Sequence, residues 1–261
     1  MATLPLHAEK VAINLKNAKK SYTEKIKITP MDDTVKISAK TITLTPKSEG
    51  AEYMISGYFE GQIINKTKNT VLKFNNAYIE NNSGEAAIFC EAKAEISSAK
   101  DSVNYIVSNG KNKNKTGALQ SKKNLVLGGS GTLYVVGNVC HGIKADDTKI
   151  KGIGKLYAQG TKNGSALTCD SLAVTKEKSF SAYFINSKNG IKADNTIEIQ
   201  SGNFYFYDNK TALKTDTAKD NPKAKHSITL SGGTLRFAAN EKNHSTEKDA
   251  YKVMGAKIIE Q

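Results

Sequence analysis

Two sets of residues in this chain have the types and spacing that chemistry needs. The first is acidic. Asp146, Asp147, Asp170 and Asp194 lie just after short segments led by a small residue: GIKADDTKI (142–150), SALTCDSLAVT (165–175) and GIKADNTIEI (190–199). Carboxylates on neighbouring turns repel one another unless a cation or a lysine stands among them. Calcium takes about six to eight oxygens from carboxylates, amides and backbone carbonyls, so these four aspartates are candidate calcium ligands. The alternative is that Asp and Asn simply form the turns, with Lys144 and Lys192 as counter-charges. The second set is aromatic. Tyr134, Tyr157, Tyr183 and Tyr205 sit mid-way in GTLYVVG (131–137), GKLYAQG (154–160), FSAYFIN (180–186) and GNFYFYD (202–208). Arg236 holds the same place in GTLRFAA (233–239). Tyrosine faces stack on the apolar faces of sugar rings, and their hydroxyls bond to sugar hydroxyls. Alternatively, stacked aromatics stabilise a sheet without any ligand.

Both sets recur because the chain repeats. Gly117, Gly142, Ser165, Gly190 and Thr211 open similar segments at steps of 25, 23, 25 and 21 residues, with Ala86 one longer step upstream. Each copy carries an alternating run with one buried face, the mark of a strand, and helical periodicity is absent. Strands too short to bury a face alone must stack on their neighbours. A parallel β-helix of roughly ten rungs is therefore expected. Leu133, Leu156, Phe204 and Leu235 should point inward, as should Val135, Ala158, Phe184, Phe206 and Phe237, leaving the tyrosines and Arg236 outside. Aligned by their opening residues, one turn position reads Cys90, Ser121, Asp146, Cys169, Asp194 and Thr215. The next reads Glu91, Lys122, Asp147, Asp170, Asn195 and Asp216. Residues 1–30 read as an N-terminal strand or cap, residues 31–261 as one domain, and residues 240–261 as its closing segment.

Composition narrows the partners. The 261 residues carry a formal charge of +13, nearly all of it lysine, with Arg236 the only arginine. A basic surface favours an anionic partner. Readers of DNA sequence rely on arginine for bidentate contacts to guanine, and this chain lacks them, so nucleic acid is not expected. No stretch approaches the ~18 apolar residues of a membrane span, and no secretion signal is visible. Cys90 and Cys169 share one turn position three rungs apart. That is roughly 14 Å on the strand spacing, beyond the ~7 Å reach of a disulfide. Cys140 and His141 are adjacent on a strand and point to opposite faces, which disfavours a nucleophile–base pair.

The segments GQIINKTKNTVLKFNNAYIENNSGEAAIFCEAKAEI (61–96), GGSGTLYVVGNVCHGIKADDTKI (128–150) and GIKADNTIEIQSGNF (190–204) resemble the bacterial carbohydrate-binding β-helix proteins. The resemblance runs from about residue 40 to residue 240. It implies a right-handed parallel β-helix akin to the pectate-lyase fold, bound calcium, and a secreted or cell-surface setting. The activity it implies is binding of cellulose or polygalacturonate without clear cleavage. Two departures stand out: the chain is basic, and Ser121, Cys169 and Asn195 stand where the family tends to place carboxylates. The leading expectation is a monomeric, non-catalytic polysaccharide-binding protein for acidic (pectic) or cellulosic glycans. In that reading Tyr134, Tyr157, Tyr183, Tyr205, Arg236, Lys144 and Lys192 contact the sugar. Two alternatives stay open: a polysaccharide lyase in which a cation neutralises the uronate and Arg236 acts as base, and a surface adhesin or scaffold with no glycan ligand.

Overall fold

Runs with a two-residue hydrophobic period form the strands of a computed structural model, which describes residues 10–15, 26–111, 115–175, 180–220 and 222–261. Among these residues the chain is all-β. One turn shows the plan. Thr148–Gly152 lies on a first face, Lys155–Gln159 on a second and Ser165–Cys169 on a third, after which Leu172–Val174 begins the next turn. Each strand pairs in parallel with its equivalents one turn away: Ile150 opposite Val174, Tyr157 opposite Tyr183, Thr168 opposite Lys192. The long strands Glu52–Glu60 and Thr70–Asn81 run through the first and second faces before Gln62–Asn65 and Ile88–Cys90 complete their turns.

Starting at Glu52 and ending at Ser245, eight complete turns stack. Below them, Lys10–Asn14 pairs in parallel with Glu52–Glu60, so the stack begins inside the segment that the sequence set apart as residues 1–30. Lys27–Thr29 pairs antiparallel with that first strand, and Val35–Ser38 antiparallel with Thr41–Leu44. These two reversals cover an edge that would otherwise offer free backbone groups to another chain. Above the complete turns, Tyr251–Val253 and Lys257–Glu260 add a partial one. The His244 and Tyr251 rings stack there at 3.7 Å, and Asn243 Nδ2 donates to Glu260 Oε1. Segment 240–261 thus closes the stack as a further layer with polar end groups.

Every residue expected to point inward is at most 2% exposed. Phe184, Phe206 and Phe237 form an internal stack at centroid spacings of 5.5 and 5.2 Å, and each such burial contributes about 1.5–3 kcal/mol. Where the chain enters the third face it passes close to the strand before it. Parallel pairing places Ala87, Ala118, Gly142, Ala166, Gly190 and Ala212 in one file at this corner. A Cβ on Gly190 would meet the Phe206 ring at 2.8 Å, and one on Gly142 would meet the Gln159 carbonyl oxygen at 2.7 Å. This crowding is why the repeat opens on a small residue.

The same pairings correct the alignment made from sequence. The sequence repeat sets Gly142 opposite Gly117 and Ser165, whereas in the fold His141 is opposite Gly117, and Asn189 is opposite both Ser165 and Thr211. The buried turn file is therefore Asn65, Cys90, Ser121, Ala145, Cys169, Ala193 and Thr215. Asp146, Asp170, Asp194 and Asp216 each follow by two residues the mutually paired Lys144, Thr168, Lys192 and Lys214. They form one carboxylate file on four consecutive turns.

Candidate functional site

The second face carries the most extended constellation. Tyr134, Tyr157, Tyr183 and Tyr205 stand in one outward file, and Arg236 follows on the next turn. The file continues upstream through Tyr105, Tyr78 and Tyr58, which the sequence reading missed. Each of the three stands before an inward Phe or Ile, as in AYIEN (77–81) and NYIVS (104–108), so the signal was present. Their less regular spacing hid it. Seven tyrosines at a strand spacing of about 4.8 Å make a strip roughly 29 Å long.

The rings are not arranged as a platform for sugar faces. From Tyr105 to Tyr205 neighbouring centroids are 4.4 to 4.8 Å apart with planes within 9° of parallel. Each inner ring is sandwiched between two others, so the face-on stacking expected from sequence is corrected: the ladder presents ring edges and hydroxyls. Beside it on one flank run Thr132, Lys155, Ser181, Asn203 and Thr234, and on the other Val107, Val136, Gln159 and Ile185. At the N-terminal end the Tyr58 hydroxyl donates to Glu80 Oε2 at 3.1 Å. Burial and that carboxylate hold the Tyr58 phenol well above its usual pKa, so it remains a donor. At the other end the Arg236 guanidinium lies over the Tyr205 ring, 5.0 Å from its centroid.

Lys144 and Lys192 do not join this strip; they lie on the third face. Lys192 Nζ contacts Asp194 Oδ1 at 2.6 Å and Asp216 Oδ1 at 3.1 Å, taking the place between two turns that a bound cation would fill. Lys144 Nζ instead donates to the Lys115 carbonyl oxygen, and Lys123 reaches Asp146 at 3.7 Å. Burial, followed by the charges of Asp146, Asp194 and Asp147, raises the pKa of Asp170. Asp146, Asp170 and Asp194 line a cleft of about 480 Å³ with Lys122, Lys123 and Lys144. Asp147 lies apart from it: its carboxylate accepts from Asn124 Nδ2, and it borders a groove on the first face. Among the described residues no three His, Cys, Asp or Glu gather as a metal cage. Each turn supplies one carboxylate and Lys192 stands between those of Asp194 and Asp216, so a calcium ion beside this file would draw most of its about six to eight oxygens from backbone carbonyls and water.

The first-face groove holds about 630 Å³. Val71, Val126 and Ala173 are on its floor, and Lys149, Lys151, Glu95 and Glu198 border it, with Lys151 and Glu95 paired at 3.6 Å. The three thiols are free and buried, and burial pushes Cys90 up to about 12. His141 Nδ1 accepts the Ser165 N–H at 3.0 Å, and burial together with Lys144, Lys115 and Lys192 lowers its pKa to about 4. It is a neutral structural acceptor.

Two spans of the chain, 31–149 and 145–259, match the family model described as carbohydrate-binding domain-containing protein. The chain belongs to this carbohydrate-binding family. The tandem match to the family agrees with a stack in which each half repeats the same turns. A solved structure, the polysaccharide lyase-like protein from C. thermocellum in a gadolinium derivative, is similar with a TM-score of 0.75. Identity is 18%, and the match covers 96% of this chain and 100% of that one, which shows a shared fold. No curated protein matches.

Proposed function

We propose that this protein binds a linear polysaccharide without cleaving it, the polymer lying along the stacking axis of a right-handed β-helix and across the tyrosine strip of the second face. The observation that carries this reading is the unbroken file of seven tyrosines. Ring edges and hydroxyls repeating once per turn offer a hydrogen-bonding row to a polymer that itself repeats. Thr132, Ser181 and Asn203 widen that row on one flank. Membership of a carbohydrate-binding family supports the ligand class, and a secreted or cell-surface setting is the corresponding proposal for location. The lyase arrangement considered from sequence would need Arg236 beside cation-holding carboxylates. Arg236 is on the second face, whereas Asp146, Asp170 and Asp194 follow third-face strands.

The test is retention on affinity gels containing cellulosic and pectic polymers, with wild type compared against Tyr157→Ala/Tyr205→Ala. A second reading places the polymer in the first-face groove, whose mixed lysines and carboxylates suit sugar hydroxyls equally. Lys149→Ala/Glu198→Ala separates the two, because it leaves the tyrosine strip intact. Calcium at Asp146, Asp170 and Asp194 is a further proposal, supported by the carboxylate file and by the resemblance; Asp147, beside the first-face groove, lies outside that file. A melting temperature that rises with calcium and falls with chelator would support it.

A further inference from the structure

We propose that Arg236 is the specificity-determining position of the tyrosine face, recognising an anionic oxygen group, a carboxylate or a sulfate ester, carried on the bound glycan. The inference rests on the polysaccharide reading and narrows it. Arg236 stands in the same file as the tyrosines, directly opposite Tyr205. A polymer lying along the strip therefore passes over it. Stacking on Tyr205 covers one face of the guanidinium, whose planar donors form a fork. That fork matches two oxygens of a carboxylate or sulfate, which a lysine ammonium does not.

Charge points the same way. Among the described residues Arg236 closes no ion pair with a carboxylate. Its Nη1 is buried without a hydrogen-bond partner. A guanidinium left in this state is under-satisfied, and a small rotation toward a ligand oxyanion would relieve it. The far end of the strip carries carboxylates instead: Glu80 accepts from Tyr58, while Glu60, on the same flank, is paired with Lys40 at 3.0 Å. An acidic group on the glycan is therefore favoured at Arg236 over the Glu80 end.

The experiment compares affinity gels of polygalacturonate with its fully methyl-esterified form, and of a sulfated galactan with its desulfated form, for wild type, Arg236→Gln and Arg236→Lys. Wild type should prefer one acidic polymer over its neutral counterpart by about tenfold, the size of one charge-assisted hydrogen bond. The pair that shows the preference identifies carboxylate or sulfate. Arg236→Gln should bring the ratio close to one, chiefly by weakening retention on the acidic form, and Arg236→Lys should keep only part of the preference. Near-UV circular dichroism of the tyrosines checks that the ladder survives the substitution. If wild type retains the acidic and neutral forms equally, or Arg236→Gln keeps the preference, the proposal is overturned and polysaccharide binding stands. Retention of none of the four polymers would overturn the polysaccharide reading itself, and Arg236 recognition with it.

Discussion

At the scale of single residues, the tyrosines have a structural role that is separable from their proposed ligand role. Tyr183 stacks on Tyr157 and Tyr205 at 4.4 and 4.5 Å. Each such pair contributes about 0.5–1.5 kcal/mol, so Tyr183→Ala should lower stability by about 1–3 kcal/mol in a urea melt, while Tyr183→Phe should cost little. His141 supplies a pH prediction. Its pKa in the fold, about 4, is below the ordinary 6.5, so the unfolded chain takes up the proton first as pH falls. The contribution is fully present above pH 6.5 and is lost as pH drops toward 4. It amounts to up to roughly 3 kcal/mol. Urea midpoints measured at pH 7 and pH 4.5 should differ, and the difference should shrink in His141→Gln.

At the scale of elements, the corner file decides which substitutions a turn tolerates. Ala166 and Ala212 occupy the positions of Gly142 and Gly190, yet Gly190 faces the Phe206 ring at a distance that no Cβ allows. Gly190→Ala should therefore destabilise by about 1–3 kcal/mol through overpacking, measured as a fall in the urea midpoint. The same corner explains what could be read from sequence. Inward Leu133, Leu156, Phe204 and Phe237 were legible because strand alternation has a strict period of two, and the tyrosine file between them followed. The turn register was not legible, because Gly and Ala serve the corner equally well. Matching Gly142 to Gly117 shifted Asp146 and Asp194 by one position and concealed the unbroken file Asp146, Asp170, Asp194, Asp216. The counter-charge role was legible for Lys192, which meets Asp194 and Asp216, but not for Lys144: both lysines precede an acidic turn, and only the three-dimensional path of its side chain sends Lys144 to the Lys115 carbonyl instead.

At the scale of the whole molecule, the stack separates its chemistry by face. The tyrosine strip is on the second face, a groove of paired charges on the first, and the half-buried lysines Lys144, Lys192 and Lys214 on the third. A formal charge of +13 adds a long-range attraction for any polyanion that salt screens within about 10 Å at 0.1 M. Binding that depends on this diffuse charge should vanish as salt is raised, whereas hydrogen bonding along the tyrosine strip should persist. The central claim is that the polymer lies on that strip, and one measurement tests it most directly: retention on polysaccharide affinity gels at 0.5 M salt, on the order of a 4 Å screening length, for wild type and for Tyr157→Ala/Tyr205→Ala with its fold verified by circular dichroism. The account predicts that wild type is retained and the folded double variant is not. Equal retention of the two proteins would contradict it and move the binding site to another face.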